Sequence, residues 1–315
     1  MKSMKRRALL TSLPALAGTA LLPPIAAAQP GRLRRSIPRS GEKINAVGLG
    51  TWLTFDVGEV VVERTRRLQV LQAFFSAGGG MIDSSPMYGR AEKLLGELLP
   101  QVEHAGRLFA ATKVWTAFTR VGPTQMTESL RLWGPGADGR VPGREPRRFD
   151  LMQVHNLLNW TEHIRTLRAW RDEGRLRYIG VTTSHGRKHE EMERILRREP
   201  IDFMQITLNL ADRTALPLIE LAAERGVAVI VNRPFDGGLL FNRTGSRPLP
   251  EVAREVGCAN WAQVFLKWIL AHPAVTCAIP ATTSAEHAAE NMGALLGPVP
   301  DAGQQRRIAA AFDAL

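Results

Sequence analysis

The chain has 315 residues, an ordinary hydrophobic fraction of 44% and a formal net charge of +11, which gives length and apolar content for a single α/β barrel. The positive charge is scattered, with arginine clusters near 32–35 and 144–148 but no stripe of bases interleaved with aromatics, and this excludes a nucleic-acid-binding face. No Cys or His falls at metal-ligand spacing, so a metal centre is excluded too.

Residues 1–28 carry Lys2, Lys5, Arg6 and Arg7 and no acid, then an apolar middle, then Ala26-Ala27-Ala28 ahead of Gln29. That is the layout of a cleavable export signal. Arg6-Arg7 followed by Ala8-Leu9-Leu10 resembles the twin-arginine address, which would bring the chain to the export machinery and into the periplasm; a general secretion signal is the alternative. Pro14, Pro23 and Pro24 argue against an anchor helix, and no later stretch is long and apolar enough to span a membrane.

From residue 36 onward, short apolar runs alternate with amphipathic helical segments. The strand candidates are AVGLGT (46–51), MID (81–83), LFAATKV (108–114), FDLMQVH (149–155), RYIGVTT (177–183), FMQIT (203–207), VAVIVN (227–232) and VTCAIP (275–280). Eight such runs, each followed by a helix pattern, predict a (β/α)8 TIM barrel over 36–315 as a single domain. Runs without alternation suit strands covered on both faces. Helix ends are expected before Gly174 and Gly226, in the position a left-handed cap favours. GPGADGRVPGREPR (134–147) reads as a long surface loop within the barrel. Trp133, Trp170 and Trp268 fall on helical faces and read as packing. Cys277 lies in an apolar run and Cys258 at an expected helix start, so two buried free thiols are expected, although an exported protein can form a bridge.

The carboxyl ends of these strands carry Thr51 and Trp52, Asp83 and Tyr88, Lys113, His155, Thr182 and Thr183, Gln205, Asn232 and Arg233, and Thr282. Loops that follow barrel strands converge on one face, so these groups should ring one pocket. A tyrosine is a weak acid, with an ordinary pKa near about 10. A nearby ammonium stabilises the phenolate, an aspartate holds the ammonium in place, and a histidine can hydrogen-bond a carbonyl oxygen while the tyrosine protonates it. No side chain supplies hydride, so this chemistry calls for a nicotinamide cofactor.

The chain resembles the aldo-keto reductases through GLGTW (48–52), Asp83-Ser84-Ser85-Pro86 running into MYGRAEKLLGE (87–97), ATKVW (111–115), DLMQVH (150–155), RYIGVTT (177–183) and IPATTSAEHAAEN (279–291). The D-x4-Y-G-x-x-E-x-x-x-G element is the most specific of these. The resemblance implies a barrel that reversibly reduces small aldehydes or ketones with NADPH, NADH being the alternative. By matching position it makes Tyr88 the general acid, Lys113 and Asp83 its tuning pair, and His155 the residue orienting the carbonyl, with Trp52 and Trp115 lining the substrate pocket. It also gives Thr51, Thr182, Thr183, Gln205, Asn232, Arg233, Thr282, Thr283, His287 and Asn291 to the cofactor. The chain departs from the family at several of these. Thr182-Thr183 replaces the usual Ser-Asn, and Asn232 stands where many members stack an aromatic on the nicotinamide. Arg233 is available to the pyrophosphate or to an ion pair. Ala281 and His287 occupy the positions of the Lys and Arg that grip a 2′-phosphate, so the preference for NADPH should be modest. A nicotinamide-binding barrel with a sensing role and little turnover is the second reading.

Overall fold

The computed structural model describes residues 31–103, 108–135, 147–184, 186 and 188–315. The signal-like segment and positions 136–146 of the Gly/Pro/Arg loop lie outside them, although the loop's two ends are joined by Arg148 N donating to Pro135 O at 2.9 Å. A hairpin comes first, β1 (Arg34–Ser36) and β2 (Lys43–Asn45). Eight further strands follow: β3 (Leu49–Gly50), β4 (Met81–Asp83), β5 (Phe109–Val114), β6 (Phe149–Val154), β7 (Leu176–Thr182), β8 (Phe203–Thr207), β9 (Ala228–Asn232) and β10 (Val275–Ala278). They pair in chain order and are parallel throughout.

The two ends of this sheet meet. Gly48 N donates to Ala278 O and Gly50 N to Pro280 O, each at 2.9 Å, and parallel bridges join Val47 to Ala278 and Gly50 to Ala281. A Cβ on Gly50 would stand 2.8 Å from Ile279 O, and one on Gly48 2.9 Å from Met81 O. The Gly-x-Gly of GLGTW therefore permits the closure. The result is the (β/α)8 barrel, with helices such as Val61–Ser76, Ala91–Leu98, Gly122–Trp133 and Trp160–Asp172 on its outside. Gly174 and Gly226 have φ of +77° and +65°, the left-handed conformation that ends the helices before them.

Two apolar layers hold the barrel. The outer one lies between strands and helices and includes Trp133, Trp170 and Trp268, all buried. The inner one fills the lumen with Met81, Phe109, Leu151, Tyr178, Phe203, Ile230 and Cys277, and the hairpin contributes Ile37 and Ile44 to it. The hairpin thus stoppers the amino-terminal end, where Tyr178 Oη lies 2.8 Å from both Ser40 Oγ and Glu42 Oε2 and gives its one proton to the carboxylate. Along β5, Phe109, Ala111 and Lys113 face inward while Thr112 faces the helices, the period of two that a strand imposes. The wall that is apolar at the floor ends in a cation at the mouth. Both cysteines are free and buried. Cys258 differs from expectation in lying in the turn before a helix, because Asn260 caps the helix Trp261–Leu270 by accepting from Gln263 N.

Candidate active site

Asp83 ends β4 and Lys113 lies at the mouth end of β5, so the parallel register brings them together in the lumen. Lys113 is fully buried and donates from Nζ to Asp83 Oδ2 and, at 2.8 Å, to Ser84 O. The other carboxylate oxygen of Asp83 accepts from Gln205 Nε2 at 2.9 Å and Gln153 Nε2 at 3.3 Å. Four strands thus converge on one carboxylate. Thr51 Oγ1 lies 3.0 Å from both Asp83 O and Ser84 Oγ, tying the first loop to the same point.

Tyr88 follows in the loop after β4. Its ring centroid lies 5.1 Å from Lys113 Nζ and 5.6 Å, edge-on, from the ring of His155. Gly89, at φ +60°, then turns the chain into the helix Ala91–Leu98, and a Cβ there would stand 2.4 Å from the Asp56 carboxylate. Asp56 accepts from Arg90 N at 3.0 Å, which pins the first loop against the Tyr88 turn. His155 Nδ1 is 2.9 Å from Ser85 Oγ, which also accepts from Met87 N at 3.2 Å.

The electrostatics of this group follow from burial and the Lys113 ammonium. Burial pulls Lys113 down, but Asp83 and Tyr88 outweigh it, and its pKa stands above the ordinary lysine value. Burial raises the Tyr88 phenol, against the pull of the neighbouring Lys113 ammonium. The expected lowering of the tyrosine is not what results: the ammonium favours the phenolate, but burial outweighs it. Burial, then the charge of Lys113, push His155 down to about 2, so its imidazole is neutral across the physiological range.

A cleft of about 470 Å³ opens onto this group. Of the strand-end groups, Thr51, Trp52, Asp83, Tyr88, His155, Thr182, Gln205, Asn232 and Arg233 line it, whereas Lys113, Thr183 and Thr282 do not. Its mouth adds Leu53, Met87, Phe235 and Phe241, and its polar wall Asn156 and Ser184, none of which was singled out from sequence. Ser85 and Gln153 were also missed. Gln153 was legible, since strand alternation puts it on the same face as Leu151 and His155.

Several expected residues stand elsewhere. Trp115 does not line the cleft: the side chain of Gln125 clamps its backbone N and O at 2.6 and 3.0 Å, and the residue is 40% exposed. Thr183 lies behind the lining, with its carbonyl accepting from Asn232 Nδ2 at 3.0 Å. Thr282 and Thr283 precede the helix Ala285–Gly293, His287 lies in its first turn, where Ser284 accepts from His287 N, and Asn291 lies in its last turn; none of the four lines the cleft. Thr282 and Asn291 are buried, Thr283 and His287 exposed. Gln205 is not idle, being engaged with Asp83 and, at 3.4 Å, with Asn232 Nδ2. Arg233, at φ +49°, donates to Asp236 at 2.8 Å and lies over the Trp52 ring at 5.7 Å, while its buried Nε has no partner among the described residues. Among the described residues no group of acids, Cys and His could hold a metal.

Comparison with known proteins bears on this arrangement. The model of the Aldo/keto reductase family matches residues 46–309. An aldo-keto reductase of Strobilurus tenacellus, str7, is 25% identical over 271 residues, covering 75% of this chain and 78% of that one. The holo form of an aldo-keto reductase from Bacillus halodurans superposes with a TM-score of 0.70 at 20% identity, over 90% of this chain and 96% of that one. An aldo-keto reductase from Klebsiella pneumoniae, solved with NADPH, gives 0.67 at 21% identity, over 89% and 95%.

Proposed function

The chain belongs to the aldo/keto reductase family, and from that premise we propose that it reduces a small aldehyde or ketone to the alcohol, using NADPH and Tyr88 as the acid. The observation that carries this reading is a half-buried, protonated phenol beside a buried ammonium at the foot of a cleft whose mouth is apolar.

The cleft, together with the helix start that follows its lining residue Ala281, suits a dinucleotide. The unpartnered Nε of Arg233 offers a charge-assisted donor for an anion. The first turn of the helix Ala285–Gly293 offers backbone N–H groups for another. Thr182, Ser184, Gln205 and Asn232 line the wall between with amides and hydroxyls. Those residues would hold NADPH, which supplies hydride to the carbonyl carbon.

The chain's own residues do the rest. In the tautomer where the Ser85 hydroxyl donates its hydrogen bond to Nδ1, neutral His155 carries its proton on Nε2, from which it can donate to a carbonyl oxygen and fix its place. Tyr88 Oη then gives its proton to that oxygen as negative charge develops. The phenolate left behind is stabilised by Lys113, which Asp83 keeps charged and fixed. Low dielectric strengthens each of these interactions.

The test is Tyr88→Phe. We expect cofactor affinity to be retained and kcat to fall by a factor of about 100 or more. Reduction of a good aldehyde at the parent rate would overturn the assignment. Bound nicotinamide without turnover of any aldehyde in a broad panel would instead favour a sensing role.

We also propose that the first 28 residues are an export signal read by the twin-arginine machinery, placing the mature protein in the periplasm. The basic start, apolar middle and A-x-A end support it. That route moves folded proteins, so cofactor acquired before export would travel inside.

A further inference from the structure

One buried carboxyl near the site takes no part in the chemistry above. Glu92 is 2% exposed and sits in the first turn of the helix that leaves the Tyr88 loop. Its oxygens accept from Thr112 Oγ1, from Ser129 Oγ at 2.7 Å and from Trp133 Nε1 at 3.0 Å. Thr112 is the neighbour of Lys113 on β5, on the opposite face of the strand. Ser129 and Trp133 belong to the next helix, Gly122–Trp133. Ala91 N donates to Tyr88 O at 3.1 Å, so the same short segment carries the acid and this carboxyl. Gly96, one turn on, lets the two helices touch, since a Cβ there would stand 1.9 Å from Leu132 O.

We propose that Glu92 is a positioning residue, a triple acceptor that ties the segment carrying Tyr88 to the strand carrying Lys113 and so fixes the phenol against the ammonium. The spacing of Tyr88, Glu92 and Gly96 suits this role: the three stand on one short segment and meet β5 and the next helix at the same junction. The groups that face the Tyr88–Lys113 pair are Asp83 and His155 inside the barrel, with Glu92 acting on Lys113 from outside. The role is geometric. Glutamine, whose carbonyl can accept from Thr112 and Trp133 and whose amide can donate to Ser129 Oγ, should therefore substitute.

The inference rests on Tyr88 being the acid. Its test compares Glu92→Leu, Glu92→Gln and Thr112→Val, with kcat expressed per cofactor-binding site so that unfolded protein does not count. Glu92→Leu should lower kcat about tenfold or more at unchanged cofactor affinity. It should also move the alkaline limb of the reduction profile to higher pH, because a phenol further from Lys113 ionises less readily. Glu92→Gln should recover kcat to within about threefold, and Thr112→Val should show part of the leucine variant's loss. Parent kcat in Glu92→Leu, a fall in kcat with the limb unmoved, or no recovery in Glu92→Gln would each overturn the proposal. If Glu92→Leu does not fold, Thr112→Val decides: parent kcat and an unmoved limb overturn it. Tyr88→Phe in the same series separates the two ideas. An active phenylalanine variant removes the acid assignment, whereas an inactive one beside a fully active Glu92→Leu removes only this inference.

Discussion

His155 and Lys113 show how the low dielectric of a barrel lumen links catalysis to stability. The folded-state pKa of His155 is depressed to about 2, while an unfolded histidine titrates near about 6.5. Above that value both states are neutral and nothing is lost. Below it the unfolded chain takes up a proton that the folded chain does not, so stability falls by up to about 1.4 kcal/mol per pH unit. Urea denaturation at about pH 7 and about pH 5 should therefore show the parent losing about 2 kcal/mol more than His155→Gln. Equal losses would mean that the ring is protonated when folded. Lys113→Met should strand Asp83 as a buried unpaired charge and cost about 3–5 kcal/mol. Adding Asp83→Asn should recover most of that stability, measured by denaturant midpoint, and none of the activity. Recovery of turnover in the double variant would show that the ammonium is not needed by Tyr88.

The helices and strands around the site have their own constraints, and Gly96 is the sharpest. Gly96→Ala would push a methyl into Leu132 O, and backbone cannot yield as a side chain can, so the thermal midpoint should drop by the equivalent of about 2–3 kcal/mol. An unchanged midpoint would mean that the two helices slide apart freely. Asp83, Tyr88, Lys113 and His155 were legible because each stands at or just beyond the end of an apolar run that only a buried parallel strand explains. Positions deeper in the pattern yielded less. β1 and β2 are three residues each and carry Arg34, Arg35 and Lys43, so no hydrophobic period announced the stopper. Trp115 follows β5 as Trp52 follows β3, yet the Gln125 clamp on its backbone, a contact ten residues away in sequence, settles where it stands. Glu92 could be read as part of a motif, while its three partners come from another strand and another helix.

At the scale of the whole molecule, the export segment and the barrel make a joint prediction. Changing Arg6-Arg7 to Lys-Lys should hold the precursor in the cytoplasm, read by fractionation, without changing the activity of the folded barrel; unimpaired export would indicate the general secretory route. The stoppered floor has a consequence for watching this protein at work. The chain has two tyrosines, and the barrel places one at each end of its axis, Tyr88 at the mouth and Tyr178 bonded to the hairpin. Fluorine-labelled tyrosine would therefore yield two resonances that report on opposite ends independently. Nicotinamide or aldehyde added to such a sample should shift the Tyr88 signal and leave Tyr178 still. Glu42→Gln, which alters an acceptor of the Tyr178 hydroxyl, should do the reverse, giving a spectrum in which loosening of the stopper and filling of the cleft are never confused.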